Sequence, residues 1–216
     1  MHPPAPWRMR QGEPELLNRQ EHVSDLRSAP PPPLEAADHV RGEPDWPLLV
    51  IYADFTCPRC ALAHERLREA SIRLAFRHFA IAAKHPRAVP LAAAAEAAGA
   101  QGRFWELHDA LFEDPGHTDD PYLWEHAKAL GLDLDRFERD RRSAPVRERV
   151  REQTRGGMRA GVAVTPTLIE GRTIVPGPPD AELIARLTAT IRVPTFRKRT
   201  ESAAETQADR KAEHEQ

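Results

Sequence analysis

The stretch Leu48-Leu49-Val50-Ile51-Tyr52-Ala53-Asp54-Phe55-Thr56-Cys57-Pro58-Arg59-Cys60 decides how this chain folds. Its five large apolar residues, Leu48 to Tyr52, suit a strand buried on both faces. They lead directly to Cys57 and Cys60, the only two cysteines of the chain. Pro58 is tolerated in the first turn of a helix, so a helix is expected from Pro58 to about Ala70. Cys57 then lies at the helix start, where unpaired backbone N–H groups and the helix dipole stabilise a thiolate. Cys60 follows one helical turn later, close enough to close a disulfide. A strand that hands Cys-X-X-Cys to a helix N-terminus is what dithiol–disulfide exchange needs.

Working outward, Ile72, Leu74 and Phe76 alternate with Arg73, Ala75 and Arg77 and predict a second strand. A helical block comes next. It holds an alanine-rich helix over Ala88–Ala98 stopped by Gly99, and a helix with Phe104, Leu107 and Leu111 on one face. A third helix carries Leu123, Ala127 and Leu130 and stops at Gly131. Asp133 is a candidate cap for a short helix around Phe137, and Pro145–Arg155 is expected to be helical. The chain then returns to strand: Thr167–Ile169 and Arg172–Val175 flank Glu170-Gly171 and predict a hairpin. A last helix is expected over Pro179–Ile191, with Leu183, Ile184 and Leu187 inward. This order predicts an α/β fold, a small mixed sheet flanked by helices, with the helical block inserted between the second strand and the hairpin.

The ends read differently. Ten of the 21 prolines precede Leu48, four of them in the run Pro30–Pro33, which favours extended polyproline II. Residues 1–37 are therefore expected to be disordered or loosely attached, with a weakly patterned helix over Glu13–Arg27. Residues 38–195 form the expected domain, with the helical insertion over 86–160, and 196–216 a charged tail. The formal net charge of −2 gives no reason to expect nucleic acid or an anionic membrane as partner. Glu138, Asp140, Glu148 and Glu152 interrupt the arginines of 136–155, as on a solvated helix face. No apolar run approaches a membrane span, and the stretch after Met1 lacks the apolar core of a secretory signal. The expected address is the cytoplasm, where a disulfide is more often catalytic than structural.

Cys57-Pro58-Arg59-Cys60 together with Gly161-Val162-Ala163-Val164-Thr165-Pro166-Thr167 resembles the two signatures of DsbA-like thioredoxin-fold disulfide oxidoreductases. The likeness runs from Asp38 to Ile191 and takes in Asp38–Gly42, Arg77-His78-Phe79, His85-Pro86 and Gly102–His108. It is similar to cytosolic members and to the thioredoxin domains fused to sodium/proton antiporters. The resemblance implies a thioredoxin fold and a thiol–disulfide oxidoreductase acting on protein or peptide thiols, reset by glutathione or a thioredoxin-type partner. No metal or organic cofactor is expected. By position, Cys57 is the implied exposed nucleophile and Cys60 the resolving thiol. Thr165-Pro166 is implied to hold a cis peptide bond facing the cysteines and to dock substrate backbone. The chain departs from its relatives at Ile51, where they carry a buried glutamate, and at Val164, where they often have a small residue.

Arg59, between the cysteines, is read as a tuning residue, because a fixed positive charge lowers a neighbouring thiol's pKa. Pro58 is read as fixing the helix start. Zinc is the rival for a Cys-X-X-Cys pair and would need His64 with His78 or His85 as further ligands. His64, His78, His85 and His108 are read individually as packing or surface residues, and Phe104, Trp105 and Phe112 as core or groove wall. Two other functional readings stand beside the oxidoreductase: a non-catalytic binding module that keeps the fold, which Ile51 favours, and a kappa-like glutathione transferase.

Overall fold

The computed structural model describes Pro30 and residues 32–189. The expected helix over Glu13–Arg27 and the charged tail 196–216 lie outside them.

The apolar run becomes β2 (Leu48–Ala53), the central strand, buried from Leu49 onward. It runs parallel to β3 (Arg73–His78) on one side and antiparallel to β4 (Thr167–Glu170) on the other. β1 (His39–Arg41) adds antiparallel to β3, and β5 (Thr173–Pro176) antiparallel to β4. The strand order is β1-β3-β2-β4-β5, a mixed five-stranded sheet. β1 was not among the expected strands; three residues are too few to carry a period. Glu170 pairs with Thr173, so the hairpin turns at Gly171-Arg172, one residue later than expected. Gly171 takes φ +57 there, the left-handed conformation that favours glycine in such turns.

Among the described residues, seven helices flank this sheet. α1 (Pro58–Leu67) stops three residues short of the expected Ala70. α2 (Ala88–Gly99), α3 (Phe104–Glu113), α4 (Asp120–Ala129), α5 (Leu134–Arg141) and α6 (Ala144–Arg159) form the inserted block. The Asp133 side chain caps α5 by accepting from Arg136 N at 2.9 Å, and Ser143 caps α6. α7 (Ala181–Ala189) closes the domain, capped by Asp180, whose Oδ1 accepts from Leu183 N at 2.8 Å. No helix among the described residues is long and apolar enough to cross a membrane.

The two faces of β2 feed two cores. Leu49 and Ile51 join Leu74, Phe76, Leu91, Leu107, Leu111 and Phe137 in the larger one. Val50 and Tyr52 pack with Ala75, Phe79, Val162 and Ile169 in the smaller one, which also receives Leu34. α2 is buried almost all round, and its alanines let α3, α5 and α6 approach it closely. α6 comes down on the smaller core at Gly157, where a Cβ would stand 2.9 Å from the Tyr52 ring. Arg77, buried on β3, donates to the carbonyls of Pro32 at 2.8 Å and Pro33 at 2.6 Å and to the Asp38 carboxylate at 2.7 Å. These contacts hold residues 32–38 against the sheet.

Candidate active site

β2 ends at Ala53, and the turn into α1 is built by Asp54. Its Oδ1 accepts from both Thr56 N and Thr56 Oγ1 at 2.8 Å, and its carbonyl accepts from Cys57 N at 3.1 Å. This local closure sets Cys57 as the N-cap of α1, in extended backbone with φ −94, ψ 116, and Pro58 in the first turn. The Cys57 carbonyl accepts from Cys60 N at 2.9 Å and Ala61 N at 3.2 Å, the first bonds of the helix.

Both cysteines are free thiols. Cys57 is half-buried, while Cys60 is 1% exposed and lies under it in the larger core. Asp54 N donates to Cys60 Sγ at 3.5 Å. The Cys57 thiol is lowered from an ordinary 9.0 to about 5. The leading cause is the hydrogen bond from the Cys60 thiol; burial opposes it, and Thr165 and the backbone N–H groups of Cys60 and Arg59 add to it. Cys60 moves the other way: its bond to Cys57 and its burial push its thiol up. One thiol is thus poised to attack and the other holds its proton.

Across from the cysteines, the Thr165–Pro166 peptide bond is cis. Cys57 Sγ lies 3.5 Å from the Thr165 carbonyl oxygen. Thr167 Oγ1 donates to the Val164 carbonyl at 2.7 Å, and Gly177 N donates to the Pro166 carbonyl at 2.7 Å, which pins the loop from both sides. The fold therefore brings Cys57, Cys60 and Thr165 together, although 108 residues separate Cys57 from Thr165. Pro58 and Arg59 sit beside them on the surface. The Arg59 guanidinium reaches the hairpin, where a Cβ on Gly177 would meet it at 2.7 Å. Among the leading influences on the Cys57 thiol, Arg59 supplies its backbone N–H.

A groove of about 450 Å³ opens beside Cys57, walled by Phe55, Pro58, Ala61, His85, Pro86 and Pro115. A smaller hollow of about 60 Å³ is also bordered by His85 and lined by Asp54, Val164 and Thr165. Val164 is 42% exposed at this rim. Ile51 is 4% exposed and pairs with Phe76 and Leu168, so an aliphatic side chain, with no titratable group, fills this position of the central strand.

Behind the cysteines, His64, His78 and His108 are all buried, among Phe55, Phe76, Phe104 and Phe112. Glu96 is the anchor of this layer and was not singled out from the sequence. Its carboxylate receives His39 Nε2 at 3.1 Å, His78 Nε2 at 2.9 Å and Arg149 Nε at 2.7 Å. Burial pushes Glu96 up, but the hydrogen bonds from His39 and His78 outweigh it and keep the carboxyl ionised. A lone acid inside the alanine run 92–98 is the signal that could have marked it. Among the described residues, the cysteines do not join His64, His78 or His85 in a cluster of ligand atoms.

The sequence profile of the DSBA-like thioredoxin domain matches residues 48–188. The chain belongs to that family. It is 40% identical over 167 residues to Na(+)/H(+) antiporter NhaA 1 of Salinispora arenicola, a match that takes in 73% of this chain and 25% of that protein. Na(+)/H(+) antiporter NhaA of Herminiimonas arsenicoxydans is 36% identical over 163 residues, 71% of this chain and 26% of its own length. The chain thus spans about a quarter of the length of the curated relatives it matches. Among solved structures, a thioredoxin-like oxidoreductase from Silicibacter pomeroyi superposes with a TM-score of 0.64 at 23% identity, covering 72% of this chain and 92% of that one. The alpha-DsbA1 of Wolbachia pipientis gives 0.63 at 17% identity, covering 73% and 92%. The chain thus shares the DsbA-like thioredoxin fold of these structures.

Proposed function

We propose that the chain is a protein thiol–disulfide oxidoreductase that works as a disulfide donor. The observation that carries this reading is the asymmetry of the two thiols: Cys57 half-exposed and lowered to about 5, Cys60 buried and pushed up. In the oxidised protein a substrate thiolate attacks Cys57 Sγ. The Cys57–Cys60 bond breaks, and the electron pair leaves on Cys60, which takes up a proton. A mixed disulfide joins substrate to Cys57. The substrate's second thiolate then attacks its own mixed sulfur and Cys57 leaves as a thiolate. A low-pKa thiolate is a good leaving group, and a stabilised reduced form makes the disulfide oxidising. The substrate segment would lie extended along Val164–Thr165, its apolar side chains in the groove walled by Phe55, Pro58 and Pro86.

The deciding experiment equilibrates the Cys57–Cys60 couple in glutathione buffers. A reversible two-electron couple near roughly −120 to −180 mV is expected of a donor. A value near about −270 mV would make the protein a reductant instead. Absence of a reversible couple sinks the oxidoreductase reading and leaves the binding module. In a Cys60→Ser variant the lone Cys57 thiolate can still attack a substrate disulfide, running the exchange in reverse, and no second enzyme thiol is left to release the product, so covalent mixed disulfides with cellular proteins should accumulate.

A further inference from the structure

We propose that His64, His108 and Asp109 form a site for a divalent transition-metal ion of the zinc type, fastening the helix that carries the cysteines to α3. The site is separate from Cys57 and Cys60, and nothing in it depends on disulfide exchange.

His64 comes from α1, four residues after Cys60, and His108 and Asp109 are neighbours on α3. Asp109 Oδ1 stands 2.7 Å from His108 Nδ1 and 3.6 Å from His64 Nδ1. One ligand atom from each residue lies within 4.8 Å of the other two. Tetrahedral zinc with bonds of ~2.0–2.1 Å keeps its ligand atoms about 3.3 Å apart, between the two distances to Asp109. Small side-chain shifts would bring the three to one ion.

The second observation is His64 itself. It is 7% exposed, and neither of its ring nitrogens has a hydrogen-bond partner. A buried imidazole with both nitrogens unanswered is rare in a folded protein, because the lost hydration goes uncompensated. A cation at Nδ1 would satisfy it. Nδ1 of His64 is free to ligate, and His108, whose Nδ1 faces Asp109 Oδ1 at 2.7 Å, would carry its ring proton on Nε2 with the ion in place.

The surroundings fit as well. Phe112 stacks on His64 and meets His108 edge-on, and Phe55 and Trp105 also pack on His108, so the two imidazoles sit in an apolar shell while Asp109, with a partly exposed side chain, faces the surface. His64 also borders a surface hollow beside Glu113, which supplies a way in and room for a water as fourth ligand. Arg41 donates to Asp109 Oδ1 at 2.8 Å and to Oδ2 at 3.0 Å. It would keep Oδ2 and yield Oδ1. Its charge opposes the ion, so binding should be weaker than at a closed four-ligand site.

The test uses the full chain with Cys57→Ser and Cys60→Ser, which removes the thiolates as competing ligands. Equilibrium dialysis against Co²⁺ and Zn²⁺ should find one ion per chain. His64→Phe, which keeps the stack on Phe112, and Asp109→Asn should each weaken binding roughly ten-fold or more. X-ray absorption on the zinc-loaded natural chain gives a readout free of substitutions: imidazole scattering with only N/O ligands is expected. No bound ion in the serine variant overturns the site. So does binding that both His64→Phe and Asp109→Asn leave unchanged, or a sulfur ligand in the natural chain.

Discussion

Cys57 and Cys60 share one hydrogen bond and are driven apart by it. Titration of the Cys57 thiolate by its ultraviolet absorbance should give a midpoint near about 5. Cys60→Ala removes the leading cause and should raise that midpoint, whereas Arg59→Ala, which keeps the backbone N–H, should leave it near about 5. A large rise in the Arg59 variant would show that the guanidinium tunes the thiol through space. The shift also makes stability depend on pH. Between about 5 and 9.0 Cys57 is ionised in the folded reduced protein and protonated in the unfolded chain. That stabilisation is complete above the ordinary value and vanishes as pH falls through about 5. Melting temperatures of the reduced form should therefore drop relative to the oxidised form as the solution is acidified across this window. At this scale the sequence was readable where neighbours along the chain make the chemistry, as from Asp54 to Cys60. It was silent on Glu96, whose partners His39, His78 and Arg149 lie 57, 18 and 53 residues away.

Elements meet at a few points where one atom too many would be felt. α6 packs on the sheet at Gly157, within 3.0 Å of Tyr52 and Phe79 for any added Cβ. Gly157→Ala should cost about 1–3 kcal/mol in urea denaturation, because both rings are backed by core. Arg77 and Asp38 face each other with side chains 4% and 5% exposed. Asp38→Ala leaves that arginine buried with only carbonyls and a phenol, and should cost about 3–5 kcal/mol in the same measurement. The helices and the hairpin were legible because apolar period, caps and glycine stops are written locally. β1 was not, since its place is decided by pairing with β3, more than thirty residues further on.

For the whole molecule, the larger core is what ties the inserted helices to the sheet. Leu91, Leu107, Leu123 and Phe137 from the insertion share it with Leu49, Phe76 and Leu168 from the strands. Insertion and sheet should thus unfold together: in a chain with Trp7, Trp46 and Trp124 replaced by Phe, the fluorescence of the remaining Trp105 and far-ultraviolet circular dichroism should trace one transition. Separate midpoints would mean that the helical block is a unit of its own. The overall architecture was readable from the order of elements, whereas the division of the core between two faces needed the sheet order. That sheet order has one more consequence, for company rather than chemistry. A sheet invites growth wherever a long, flat outer strand offers unpaired backbone. Here one outer strand is three residues long and turns away at Gly42, and the other ends on Pro176, which has no N–H to offer. A stray strand from another molecule finds little to add to at either border, so the fold discourages fibre-like stacking while leaving Cys57 half-exposed in its groove.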